Sequence, residues 1–123
     1  MMTPLVSVAI GGALGASLRY LTGQILARAL GTGFPWGTIA VNILGSFLIG
    51  IAFVMLAQQT RLSPLLMTGV LGGFTTFSAF SLDAYQLYDK GEVATAALYI
   101  IGSVVISIAA LIAGIALARS LAT

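Results

Sequence analysis

Polar and turn-forming residues divide this chain into four long apolar stretches. The stretches run over residues 4–30, 36–57, 64–88 and 93–118. A helix needs about 20 apolar residues to cross a bilayer, and each stretch reaches that length. The pattern therefore predicts an all-α membrane protein with four transmembrane helices. We expect residues 1–123 to form a single four-span transmembrane domain.

Turn residues lie where this division requires them. Residues 31–35 read GTGFP, which predicts a turn with Pro35 in the first turn of the second helix. Ser63 followed by Pro64 is typical of a helix start. Residues 89–92 read DKGE and predict the third loop.

The third stretch does not have the composition of a simple lipid anchor, because residues 72–80 read GGFTTFSAF. Adjacent glycines loosen a helix, and a membrane helix that interrupts its own hydrogen bonds needs protein or water around the break. We predict a third helix broken near residues 72–76, which is typical of an ion or substrate pathway. Phe74, Phe77 and Phe80 are spaced by three, which predicts one shared helical face.

Composition supports the membrane class and excludes several kinds of chemistry. The chain is 59% hydrophobic and 7% charged, with a mean hydropathy of +1.12, whereas soluble domains contain about 25% charged residues. It has no Cys and no His, so disulfides, thiolate metal sites and the usual proton shuttle are excluded. Without a close pair of acids either, we do not expect an enzyme. The net charge of +2 is thinly spread, which gives no patch for nucleic acid.

The basic residues that flank the spans are evenly divided. With four spans, Arg61 and Arg119 lie on one side of the membrane, and Arg28 and Lys90 lie on the other. Because each side has two basic residues, the positive-inside rule predicts no preferred orientation of the chain. One interpretation is a weak topology signal in a short protein. The other is insertion in both orientations, which would allow an antiparallel homodimer.

Three kinds of polar side chain lie inside the spans, and each has two or more interpretations. Asn42 either holds helices together or donates its amide to an anion. Ser103 and Ser107 are four residues apart and form a polar strip, unless they bond to their own helix carbonyls. Arg19 either snorkels to the headgroups, draws anions into a vestibule, or holds a helix terminus or backbone carbonyls in place.

The absence of acids deep in the spans favours an anion pathway over a proton-coupled transporter. Asp83 is the only acid of the third span, and we expect it near the interface. A proton-coupled transporter with a membrane carboxylate is therefore poorly supported. Hydroxyls, amides and the positive edges of phenyl rings can replace an anion's water. Simple packing is the alternative role for Phe77 and Phe80.

Three segments together resemble a known family. GGALGASLRY (11–20), GTIAVNILGSFLIG (37–50) and GVLGGFTTFSAFSLD (69–83) resemble signature stretches of the Fluc/CrcB family of small fluoride channels. The fourth span is similar in its polarity pattern. The resemblance implies an antiparallel, dual-topology homodimer with two pores in the bacterial inner membrane. It implies passive export of fluoride in preference to chloride, which protects the cell against fluoride toxicity. It also implies a structural Na⁺ at the dimer centre. Membrane lipids would surround the dimer.

The resemblance also implies roles for individual residues. The ion pathway would include Asn42, Phe77, Ser78, Phe80, Ser107 and Arg19, of which Arg19 is the signature arginine of the first span. On the fourth helix, Ser103 is the second choice after Ser107. The backbone carbonyls of Gly72 and Thr75 would bind Na⁺. This chain has Ala79 where the family commonly has Thr, so a hydroxyl contact at that position is absent.

Two other functions remain open at this point. A small four-span drug or metabolite antiporter shares the architecture, but we would expect an acid within its first span, and this first span has none. A non-conducting accessory membrane subunit would bind a partner through its small-residue faces.

Overall fold

The computed structural model describes residues 3–57 and 62–122, and every regular element in this part of the chain is helical. The elements are α1 (Pro4–Leu30), α2 (Trp36–Met55), a π-helix (Pro64–Leu71) that continues into the short α3 (Gly72–Phe74), α4 (Phe77–Asp89) and α5 (Val93–Ala122). The predicted all-α architecture is confirmed. Arg61, on which the charge comparison partly rests, lies outside the described residues.

Four segments are long and apolar enough to cross a membrane. They contain 27, 20, 26 and 30 residues, the third being Pro64–Asp89 as a whole. At a rise of about 1.5 Å per residue even the shortest matches a hydrocarbon core of about 30 Å. No more than 17% of any apolar window is buried within the chain. The rest of this surface is left for lipid or another protein, so the chain is a multi-pass membrane protein.

The ends of the helices follow local sequence signals. The Thr3 hydroxyl accepts a hydrogen bond from the Val6 amide at 3.2 Å, and Pro4 occupies the first turn of α1. Gly31 ends α1 with φ of 84°, and Gly91 lies between α4 and α5 with φ of 85°. Glycine suits both positions because side chains disfavour this left-handed backbone.

Small residues set the closest helix contacts. The first half of the third span (residues 64–74) packs on α1, while α5 packs on α2 and α4. A Cβ atom added at Gly11 or Gly15 would run into the carbonyl oxygens of Leu65 or Val70. In α5, a Cβ atom added at Gly114 would meet the Phe47 carbonyl oxygen in the same way. These glycines therefore allow backbone to lie against backbone.

The third span is interrupted at Thr75 and Thr76, which are both extended, with φ and ψ of −87° and 160°, and of −153° and 125°. The predicted break is confirmed. It does not open at the glycines, since Gly72 keeps a helical φ of −64° and ψ of −38°. Gly73 serves helix packing instead, because a Cβ atom there would lie 2.8 Å from the Gly12 carbonyl oxygen.

The prediction that the three phenylalanines share one helical face is wrong. Phe74 and Phe80 are buried, at 8% and 7% exposed, whereas Phe77 is 76% exposed. The two extended residues lie between Phe74 and Phe77, so the helical period of the first half does not continue into α4. Phe80 instead joins the buried cluster of Ala84, Leu87, Ala96 and Tyr99.

Candidate ion site at the helix break

Asn42 of α2 holds the broken segment through both ends of its side-chain amide. Its Nδ2 donates to the Thr76 carbonyl oxygen at 2.9 Å, and the Thr76 amide donates to Asn42 Oδ1 at 2.7 Å. The pair is partly buried. The Asn42 side chain therefore replaces the helical bond that the Thr76 amide loses at the break, and it adds a bond to the Thr76 carbonyl.

The two threonines close one helix and open the next. Thr75 Oγ1 and the Thr75 amide both donate to the Leu71 carbonyl oxygen, at 3.0 and 3.1 Å. Thr76 Oγ1 accepts from the Ala79 amide at 3.1 Å and caps the N-terminus of α4. Sequence reasoning did not assign a role to Thr76. The available signal was the preference of helix N-termini for a threonine.

Arg19 supports the other side of the break. Its Nε donates to the Gly73 carbonyl oxygen at 3.1 Å in a partly buried contact. A cation at the C-terminal end of a helix is favoured by the negative end of the helix dipole. Of the interpretations open for Arg19, the structure supports the one in which it holds backbone carbonyls.

A cavity of about 270 Å³ lies between α2, α5 and the break. Its wall brings together four of the residues predicted for the ion pathway, namely Asn42, Phe77, Phe80 and Ser107. It also includes Ser46, Ser103 and both threonines of the break. No acid lines it, so the wall offers hydroxyl and amide groups without a carboxylate to repel an anion.

Ser103 is the most unusual group in this wall. It is 4% exposed, and among the described residues its Oγ is the buried side-chain nitrogen or oxygen that has no hydrogen-bond partner. Leaving a buried polar group unpaired costs about 1–3 kcal/mol. Ser107, one turn further along α5, is partly buried and lines the same cavity. Ser103 therefore has hydrogen-bonding capacity that the fold of one chain does not use, in a residue that lines the cavity.

The aromatic rings connect the cavity to the core. The ring centroids of Phe77 and Phe80 are 5.5 Å apart with planes inclined by 54°, and Phe80 lies 5.2 Å from the Tyr99 ring. Phe80 is thus packed against the core, whereas Phe77 lines the cavity and stays largely exposed. The two phenylalanines have different environments, which the sequence did not distinguish.

A tyrosine and an acid form a pair that sequence reasoning missed. The hydroxyl of Tyr99, which is 1% exposed, donates to Asp83 Oδ2 at 3.2 Å. Phe34 makes an edge contact with the Tyr99 ring at 5.4 Å. A tyrosine inside an apolar span needs a partner for its hydroxyl, and Asp83 was the only acid in the predicted stretch 64–88.

Three of the predicted site residues do not line the cavity. Ser78 is exposed, with its Oγ 3.4 Å from Thr76 Oγ1. Gly72 is exposed in the last turn before the break, and Arg19 contacts the main chain on the α1 side. Among the described residues no group of three or more His, Cys, Asp or Glu side chains could hold a metal.

These features define a class: a small four-span membrane protein with an interrupted third helix beside a cavity lined by hydroxyl groups and free of acids. Comparison with known families gives a more specific assignment. The sequence profile described as "CrcB-like protein, Camphor Resistance (CrcB)" matches residues 6–115. The chain belongs to the CrcB family, as the resemblance of its three segments predicted.

Individual relatives are similar over nearly their whole length. A protein of Ruegeria sp. (strain TM1040) is 58% identical over 100% of both chains, and one of Cereibacter sphaeroides is 55% identical over 97% of both. A third, from Rhizobium johnstonii, is 50% identical over 98% of this chain and all of its own. Each of the three is named "Fluoride-specific ion channel FluC".

Proposed function

We propose that this chain forms a fluoride-selective channel that exports fluoride passively across the bacterial inner membrane. The structural observation that carries the proposal is the cavity beside the break, with the unpaired Ser103 hydroxyl in its wall. The names of the relatives supply the identity of the ion. Passive movement is consistent with the lack of an acid in the cavity wall, because a proton-coupled carrier would need one.

Fluoride gives up strongly held water when it enters a protein, so the pathway must replace that water with close donors. Ser103 and Ser107 supply hydroxyls from α5. The N-terminus of α4 lies in the same wall, where helix amide groups and the positive end of the helix dipole favour an anion. The ring edges of Phe77 and Phe80 add weaker positive contacts. The ion would move from one of these hydrogen-bonding or positive groups to the next without a covalent step.

The functional unit in this proposal is an antiparallel homodimer. Most of the apolar surface of the spans is not buried within one chain, so a second copy has a large surface on which to pack. The charge count is even, with two basic residues on each side. Both orientations should therefore be found when the C-terminus carries a side-specific reporter. A signal from one compartment alone would contradict the dual topology.

A structural Na⁺ at the dimer centre is the second part of this proposal. Gly72 lies in the last helical turn before the break, where carbonyl groups lack helical partners, and Thr75 is extended. Carbonyls at broken membrane helices are suitable sodium ligands. Two carbonyls from one chain are too few for a cation, whereas two copies would supply four. Replacing Na⁺ by a large organic cation should lower the thermal stability of the dimer; unchanged stability would contradict the site.

Ion efflux from liposomes tests the proposed function directly. Purified protein should release trapped fluoride rapidly and retain trapped chloride, compared with protein-free liposomes at the same lipid composition. An antiporter would release its substrate only when an exchange partner is present outside. An accessory subunit would release neither ion. Equal release of fluoride and chloride would contradict the proposed selectivity.

A further inference from the structure

We infer that Asn42 acts in this channel as a positioning residue, which holds the main chain of Thr76 in place and does not itself bind the permeating ion. The inference rests on the proposed channel function. It separates two roles that the position of Asn42 in the cavity wall leaves open. Its basis is that the side-chain oxygen and one of the two amide hydrogens of Asn42 already bond to Thr76 and fix the orientation of the amide.

The Asn42 side chain uses its carbonyl oxygen and one amide hydrogen on Thr76. The two bonds, of 2.7 and 2.9 Å, are short for N–H···O contacts. They satisfy the Thr76 amide, which has no helical partner at the N-cap of α4, and add a bond to the Thr76 carbonyl. Moving the side chain toward an ion would break both bonds at once and leave the Thr76 amide unpaired.

Thr76 in turn determines where α4 begins. Its hydroxyl accepts from the Ala79 amide at 3.1 Å and caps this helix. The Asn42 contact therefore fixes the position of the helix N-terminus that borders the cavity. Asn42 acts on the ion through Thr76 and α4.

Gly45 on α2 provides the space that this arrangement needs. A Cβ atom added there would collide with Thr75 Cγ2 and would lie 3.4 Å from Phe74 Cδ2. Asn42 and Gly45 are three residues apart and thus lie on one face of α2. This face is shaped to receive the extended segment, with a polar contact to one threonine and an open position for the other.

An aspartate at position 42 distinguishes positioning from ion binding. A neutral carboxyl group can accept from the Thr76 amide and donate to the Thr76 carbonyl, as the asparagine does, but it has one hydrogen and none left for an ion. An ionised carboxylate would repel the Thr76 carbonyl. We therefore expect Asn42→Asp to conduct about tenfold to a hundredfold less than wild type at neutral pH.

Mildly acidic solution protonates a carboxyl group held in surroundings of low polarity. Fluoride flux through Asn42→Asp should then rise to near the wild-type level, while the wild-type protein shows no such rise. Protein-free liposomes at each pH correct for the permeation of neutral HF. Flux that stays low in acid would show that the second amide hydrogen of Asn42 is needed by the ion, and would overturn the inference.

Hydrogen–deuterium exchange tests the same contact without any ion flux. In Asn42→Leu, the amides of residues 75–79 should exchange about tenfold or more faster than in wild type, because Thr76 loses its acceptor and the cap on α4 loosens. Gly45→Ala should show the same change. Gly102→Ala is the matched control, since a Cβ atom at Gly102 meets nothing within 4 Å. Unchanged exchange in Asn42→Leu would overturn the inference even if the wild-type protein conducts no fluoride.

Discussion

The two halves of the third span are held in opposite ways. The first half meets α1 backbone to backbone, with Gly11 and Gly15 against carbonyl oxygens and Arg19 bonded to the Gly73 carbonyl. The second half, α4, meets α5 through large side chains, with Phe80 packed on the Tyr99 ring. The first contact leaves no space between the helices. Beside the second half, a cavity of about 270 Å³ remains between α2, α5 and the break.

This difference shows how one helix can serve both as a fixed support and as a cavity wall. Main-chain contacts through glycine cannot adjust, so the first half gives the break a fixed position. Side-chain packing around α4 leaves polar groups at the cavity, and Ser103 remains without a partner. If the comparison is correct, substitutions on the α1 side should act on stability, and substitutions on the cavity side should act on conduction.

The largest effect on stability is expected on the α1 side. Gly15→Ala would drive a Cβ atom into the Val70 carbonyl oxygen, a backbone group that cannot move alone. We expect a loss of about 3 kcal/mol or more, at the upper end of the range for overpacking. Gly12→Ala is the control on the same helix, because a Cβ atom there meets nothing within 4 Å. Thermal unfolding in detergent checks both; equal stability of the two variants would contradict the fixed contact.

The phenylalanines should give a mixed effect. Phe80→Ile removes ring contacts with Phe77 and Tyr99, for which we expect a stability loss of about 1–2 kcal/mol. Phe77→Ile removes a single ring contact and should cost less. Both should lower fluoride efflux from liposomes, since isoleucine lacks the ring quadrupole. Near wild-type flux in both variants, first shown to be dimeric by size-exclusion chromatography, would end the aromatic-pathway interpretation.

A smaller effect is expected at Arg19. Arg19→Gln removes the charge and weakens the contact with the Gly73 carbonyl, so we expect a stability loss of about 1 kcal/mol. Arg28→Gln serves as the control, because Arg28 is exposed at the end of α1. The midpoint of thermal unfolding measures the difference. A loss of flux in Arg19→Gln with unchanged stability would instead favour the vestibule interpretation.

Much of the fold follows from the sequence, because the physical constraint is simple. Apolar stretches of about 20 residues have few alternatives to a membrane helix. The break was also predictable as a region, since glycine and threonine weaken the helix there. Its position at Thr75 and Thr76 was not predictable, because it depends on Asn42, a residue more than 30 positions away that accepts from the freed Thr76 amide.

The sequence predicted which residues lie at the candidate site better than it predicted what each of them does there. Asn42, Phe77, Phe80 and Ser107 do line one cavity, but the sequence could not show that Asn42 is already bonded to the main chain. It also gave no sign that, within residues 3–57 and 62–122, the buried hydroxyl without a partner is that of Ser103. Hydrogen bonding and burial depend on how helices pack, and no local pattern records them.

Ser103→Ala tests most directly whether the cavity is the ion pathway. The substitution removes a hydroxyl that makes no hydrogen bond in the folded chain, so the variant should be at least as stable as wild type. Fluoride efflux from liposomes should nevertheless fall about tenfold, because an ion in the cavity loses a donor. Ser17→Ala is the control, since the exposed Ser17 hydroxyl bonds to its own helix at the Ala13 carbonyl. Wild-type flux through a stable Ser103→Ala dimer would contradict the account.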